Sequence, residues 1–243
     1  MTLMKRFLLI IALCIPLLES CVIDNGDSSN YDNFHELVRI TAESRLEYPI
    51  VMAETAMSVM AYDAMAPEDK VEMGYIYENV IKISDSKFQM DKFHSFILDT
   101  GGKSLENADA LWTITVWGGS FDYRERECVF KLCRQDDSDG HMYRLVCEYE
   151  GYEPYEIYFS PVEDEEAYYS WEMDMSCRFT TTQGREVDLT TVGPFVRKVY
   201  RAAVPNERSS CVIMEGTVNM RVDGDALDYE YAGLISENTR YNF

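Results

Sequence analysis

The alternation of apolar and polar residues in the C-terminal two thirds of the chain most constrains its fold. Large apolar side chains and a cysteine occupy every second position from Trp171 to Phe179, and charged or polar residues lie between them. A period of two residues is typical of a β-strand that buries one face and exposes the other. Similar patterns predict strands at Trp112–Trp117, Cys128–Leu132, Tyr143–Tyr149, Tyr155–Phe159, Cys211–Met214, Val218–Val222 and Leu227–Tyr231, and a less regular one at 75–83.

Turn residues join these strands. The segments Asp137–Gly140 and Asp223–Asp225 combine aspartate with glycine, a composition that favours the tips of β-hairpins. Eight or nine strands with short connections predict an antiparallel sheet or sandwich with one buried and one solvated face.

The N-terminal part of the mature chain has a helical period. Phe34, Leu37, Val38 and Thr41 recur at spacings of three and four residues, and Tyr48–Pro49 predicts a break before a second helix over Ile50–Met65. Residues 31–66 are therefore predicted to form a helical pair that packs on the sheet of residues 75–243. The prediction is a single α+β domain over 31–243, mainly antiparallel β.

Composition and charge exclude several classes of function. The chain carries 43 acidic and 22 basic residues, with a net charge of -21, whereas nucleic-acid binding requires clustered lysine and arginine. An aromatic content of 13% argues against disorder. Three histidines offer little material for metal or triad chemistry, and no cofactor motif is present. We therefore expect no nucleic acid, metal or cofactor.

The first residues have the layout of an export signal. Lys5 and Arg6 precede the apolar run Phe7–Leu18, which is followed by Ser20 and Cys21. This segment resembles a bacterial lipoprotein signal of the Bacteroidota type. The resemblance covers about thirty residues and implies cleavage of residues 1–20 and a lipid on Cys21. It also implies a flexible acidic tether over 21–30 and a place in the cell envelope, at the outer membrane.

Five cysteines remain after the signal and the lipid site, and none forms a CxxC motif: Cys128, Cys133, Cys147, Cys177 and Cys211. A hairpin turning at Asp137–Ser138 would place Cys128 opposite Cys147, where a disulfide could form. A turn two residues later would place Cys128 opposite Gly151. The sequence leaves both registers open.

No catalytic constellation stands out, which favours a non-catalytic module that binds a glycan or a protein. Alternation places Trp117 on the opposite face from Trp112, Ile114 and Val116. An indole there predicts an exposed aromatic platform, with Tyr152 and Tyr155 as weaker members. Two alternatives remain, a glycoside hydrolase with paired carboxylates and a structural envelope subunit.

Overall fold

The computed structural model describes residues 29–67, 80–91, 95–118, 126–135, 140–180, 184–201 and 210–239. Residues 1–28, which hold the predicted signal, Cys21 and most of the tether, lie outside this set, as do residues 75–79 and the predicted tip at 137–139. The described residues form one strand-rich sheet and one N-terminal helical run, so the predicted α+β class is confirmed.

The sheet contains eleven described strands, and each is antiparallel to the strand before it in sequence. Every neighbour in the sheet is thus a neighbour along the chain. The strands are β1 (Val80–Ser84), β2 (Lys87–Asp91), β3 (Ser95–Asp99), β4 (Trp112–Gly118), β5 (Arg126–Arg134), β6 (Tyr143–Tyr149), β7 (Tyr155–Pro161), β8 (Ala167–Thr180), β9 (Glu186–Arg201), β10 (Ser210–Val222) and β11 (Asp225–Thr239).

The helical run changes type in its middle but does not stop. It comprises α1 (Ser29–Ala42), a π-helical segment (Glu43–Glu47) and α2 (Tyr48–Ala64). Tyr48 keeps helical angles (φ -57°, ψ -46°), and its N–H donates to the carbonyl of Glu43. The predicted break at Tyr48–Pro49 is therefore wrong. Proline restricts the residue before it, but the five-residue π turn accommodates the missing N–H of Pro49 without ending the helix.

One apolar stripe runs along the whole helical segment and faces the sheet. Its buried members follow at intervals of four and then three residues: Val38, Ala42, Leu46, Ile50, Ala53, Ala56 and Val59. Helix α1 contacts β10 and β11, and α2 contacts β4, β5 and β6. The helix thus crosses the inner face of the sheet from one side to the other, and a single core forms between them.

A line of irregularities bends the sheet around the helix. The pairing of β8 with β9 shifts between Met173 and Ser176, and that of β10 with β9 shifts between Glu215 and Thr217. Between these shifts, β9 carries extra residues around Gly193–Pro194. Bulges at one level on neighbouring strands add twist and curvature, so the sheet wraps the helix instead of lying flat.

The cysteine register differs from both alternatives considered from sequence. Cys128 faces Tyr149, and Cys147 faces Phe130, so the two cysteines are not opposite each other. Cys133, Cys147 and Cys177 are free thiols, and Cys128, Cys147 and Cys177 are buried in the core. The Cys128–Cys147 disulfide that one of the two registers allowed is therefore absent, and the buried cysteines act as small apolar side chains.

Candidate functional site

Trp117 lies on the solvent face of β4, as its position in the strand predicts. Trp112, Ile114 and Val116 are at most 4% exposed on the inner face, whereas Trp117 is 42% exposed. Its neighbours across the sheet are Ser95 on β3 and Glu127 on β5. The first half of the platform prediction, an exposed indole, is thus confirmed.

Tyr155 does not belong to an exposed platform. It is 6% exposed, and its hydroxyl donates to the carbonyl of Arg45 at 2.7 Å. Arg45 lies four residues before Pro49, whose nitrogen carries no hydrogen, so this carbonyl lacks its usual helical donor. Tyr149 donates in the same way to the carbonyl of Ser44 at 3.4 Å. Both tyrosines fasten the helix to the sheet at its π segment.

Tyr152 also lies on the helix side of the sheet. It is half-buried against the core, and the guanidinium carbon of Arg45 lies 4.8 Å from the centre of its ring. The structure therefore divides the three predicted ligand residues between the two faces of the sheet. Of the three, only Trp117 lies on the outer face.

A long depression on the outer face, which sequence reasoning missed, offers more contacts than Trp117 does. We call it the outer groove. It consists of two adjoining hollows of about 550 and about 520 Å³ that share Ser176 and Arg178. It crosses β7 to β11, and its polar lining includes Glu156, Tyr158, Asp174, Ser176, Arg178, Asp188, Thr190, Asn219, Arg221 and Asp228.

Several charged side chains of the outer groove have partners within it or at its edge. Arg178 forms a salt bridge with Asp188, and Asn219 donates to Asp228 at 2.7 Å. At the β7 end, Glu156 accepts hydrogen bonds from Arg144 and Tyr158. The Arg144 hydrogen bond holds the pKa of Glu156 below its usual range. A glycosidase acid needs a raised pKa, so Glu156 is unsuited to that role.

A second polar cluster lies on the inner face, between the helix and the sheet. Arg197 of β9 is fully buried and pairs with Glu54 of α2, which also accepts a hydrogen bond from the indole of Trp171 at 3.0 Å. A second carboxylate, that of Glu47, lies 3.8 Å from Arg197. Burial raises the pKa of both glutamates, and Arg197 opposes the rise. We call these four residues the buried cluster.

Neither polar region resembles a metal centre. Among the described residues, no group of three or more histidine, cysteine, aspartate or glutamate side chains could hold a metal ion. Within the same residues, no helix has the length and apolar character needed to cross a membrane.

Comparison with known proteins gives no relative from which to transfer a function. No family model matches the chain, and neither a curated protein nor a solved structure matches it.

Proposed function

We propose that the protein is a lipid-anchored module of the cell envelope that binds a glycan in the outer groove without cleaving it. The groove carries the proposal because it combines paired charges, hydroxyl groups and an amide over five strands. Sugar hydroxyl groups donate and accept hydrogen bonds, so they match a surface that offers both kinds of partner. With a strand spacing of about 4.8 Å, the groove extends about 19 Å, which suits an extended ligand.

The state of the carboxylates favours binding over hydrolysis. A hydrolase of the usual kind needs one protonated and one ionised carboxyl group on either side of the scissile bond. In the outer groove, Glu156 and Asp188 each pair with an arginine, and the hydrogen bond from Arg144 lowers the pKa of Glu156. Both pairs orient their side chains for recognition, and an ionised Glu156 is not a proton donor.

Trp117 supports a second contact surface on the same outer face. An indole that is 42% exposed can bury much more of its area against a sugar ring or a protein partner. Since Trp117 is on β4 and the groove begins at β7, one ligand would reach both only if it continued across β5 and β6.

The glycan proposal predicts a loss of binding on substitution in the groove. The Tyr158→Ala/Asn219→Ala variant should bind a glycan selected on a glycan array at least about tenfold more weakly than the wild type. Its melting temperature should change little, because both side chains lie on the solvent face. Titration calorimetry with the purified protein measures the affinity.

Matched variants locate the contact. Lys131→Ala removes a charge pair from the outer face of β5, away from the groove, and should leave the affinity unchanged. Trp117→Ala tests the second surface, and Leu111→Ala, at a residue that is 50% exposed near the other end of β4, is its control. Failure of every glycan to bind, or release of shortened products during incubation, would refute a non-catalytic glycan module.

The anchoring proposal predicts the chemistry of the mature N-terminus. Removing residues 1–20 takes away two basic residues and one acidic residue, leaving a net charge of -22. So acidic a domain is repelled by anionic lipid and needs a covalent anchor to remain at the membrane. Mass spectrometry of the protein from its native host should show a chain that begins at a lipidated Cys21.

Two cysteine variants test this assignment. Cys21→Ala should abolish the lipid and release the protein from the membrane fraction, whereas Cys14→Ala, inside the predicted signal, should change neither. An unmodified Cys21, or a mature chain that retains Met1, would contradict the lipoprotein assignment.

A further inference from the structure

The π segment of the helix places one arginine in an aromatic cup. The guanidinium carbon of Arg45 lies 4.6 Å from the ring centre of Tyr149, 4.8 Å from that of Tyr152 and 4.9 Å from that of Phe179. We call these four residues the Arg45 cup. It lies on the inner face of the sheet, away from the outer groove. Three π faces stabilise the cation, but they accept none of its directional hydrogen bonds.

Arg45 has no carboxylate counterion; among the described arginines Arg134 and Arg221 also lack one, but only Arg45 lies against aromatic rings. A carboxylate pairs with Arg39, Arg144, Arg178, Arg185 and Arg197. In the part of the chain that the structure describes, no carboxylate or carbonyl accepts a hydrogen bond from the Arg45 guanidinium. The half-buried Arg45 thus has aromatic rings in the place where most described arginines of this acidic chain have a carboxylate.

The ionisable groups around the cup do not supply the missing negative charge. Burial raises the pKa of Cys177 to about 11, and burial raises the pKa of Tyr149 and Tyr155 well above the usual value. All three are neutral at pH 7. Partly burying a guanidinium beside neutral groups costs free energy unless an anion or water satisfies its donors.

The guanidinium keeps some contact with solvent. Its nitrogens have no hydrogen-bond partner among the described residues, yet they are not among the fully enclosed polar atoms. Three rings lie around its central carbon at the distances given above. A ligand would be held by its N–H groups, which form a planar fork.

We propose that the Arg45 cup binds the carboxylate group of a small or terminal ligand. A carboxylate is planar and accepts two parallel hydrogen bonds from a guanidinium fork. The charge of the whole protein favours a single carboxylate over a multiply charged phosphate, because a net charge of -21 repels each additional negative charge. The site would thus recognise the acidic end of a molecule whose apolar part lies on the rings.

Nuclear magnetic resonance tests this site directly on the purified protein. The Nε–H signal of Arg45, assigned by its absence from Arg45→Lys, should shift saturably as sodium acetate is added at constant ionic strength. Sodium sulfate, titrated in the same way, should bind at least about threefold more weakly. No saturable shift with acetate, or a preference for sulfate, would overturn the proposal.

Two variants separate binding from a purely structural role of the arginine. Arg45→Lys keeps the charge but loses the planar fork, and should weaken acetate binding at least about tenfold while the spectrum remains that of a folded protein. Lys131→Met removes a cation on the outer face of β5, outside both candidate sites, and should leave acetate binding unchanged. Equal affinity for acetate in the wild type and Arg45→Lys would assign the interaction to another part of the protein.

Discussion

Replacing Arg197 with methionine should lower the free energy of unfolding by about 3 to 5 kcal/mol, the range observed when one partner of a buried ion pair is removed. Arg197 is completely buried, and its partner Glu54 is 5% exposed. Without the guanidinium, the carboxylate of Glu54 would remain in the core beside the indole of Trp171 with no compensating charge. Urea unfolding monitored by tryptophan fluorescence measures the loss.

The loss of unfolding free energy in Arg197→Met should increase with pH. In the wild type, burial raises the folded-state pKa of Glu47 and Glu54, and Arg197 partly offsets the rise. A folded-state pKa above the unfolded value means that protonation favours the fold, so this contribution is greatest in acid and disappears as pH rises through the folded-state pKa. Since Arg197→Met raises both values further, its effect should be smaller at pH 5 than at pH 7.5.

A second substitution should reverse most of the damage. In Arg197→Met/Glu54→Gln, the neutral amide oxygen still accepts the hydrogen bond of Trp171, and no unpaired charge remains at that position. Replacing both members of a buried pair is often nearly neutral, so we expect the double variant to recover at least about half of the lost free energy. The control is Arg178→Met, which removes the arginine of an exposed salt bridge and should have no measurable effect on the free energy of unfolding. A negligible loss of unfolding free energy in Arg197→Met would show that the buried cluster does not stabilise the fold.

The buried cluster also shows why β9 was not predicted from the sequence. In β9, Val187, Leu189 and Val199 follow the apolar alternation, but Gly193–Pro194 interrupts it and the charged Arg197 occupies an inward position. Arg197 is acceptable inside only because Glu54 comes from a helix 143 residues earlier in the chain. No local pattern contains that information, whereas β4, β6, β7 and β8, whose inward rows are uninterrupted, were all predicted.

The register of the central hairpin was beyond sequence reasoning for a related reason. Both candidate turns fit the Asp-Ser-Asp-Gly composition, and the observed pairing of Cys128 with Tyr149 lies between the two alternatives. All three registers keep Cys128, Phe130 and Leu132 on the same face, so burial alone does not distinguish them. The position of Tyr155 could have been predicted, because it alternates with Ile157 and Phe159 and therefore shares their buried face.

The outer groove was hidden for yet another reason. Its residues are ordinary outward positions of five strands, and a solvated face always carries serine, threonine, asparagine and charged side chains. What makes them a candidate site is that residues of five strands meet in two adjoining hollows, beside the bulge of β9. Sequence patterns place residues on a face, but curvature arises from the packing of the whole sheet on its helix.

Because the sheet is bent at the bulge of β9, Gly216→Ala should lower the free energy of unfolding by about 3 kcal/mol. Gly216 lies on β10 opposite the bulge of β9, at φ +138°, a conformation that residues other than glycine rarely adopt. A Cβ there would lie 2.7 Å from Cδ2 of Phe195, 2.9 Å from its Cα and 2.9 Å from the carbonyl oxygen of Pro194. Two of these contacts are with backbone, and Phe195 is fully buried, so no side-chain rotation relieves the clash.

Gly193→Ala separates the clash from the cost of the backbone conformation. Gly193 also has a positive φ of +70°, but nothing lies within 4 Å of its hypothetical Cβ. This substitution should therefore cost only the strain of a left-handed residue, about 1 kcal/mol. Chemical denaturation of the two variants under identical conditions gives the comparison. Equal losses of unfolding free energy would mean that the added methyl group is accommodated as easily between β9 and β10 as in open space. The close approach of the two strands at Gly216 would then not determine the bend of the sheet.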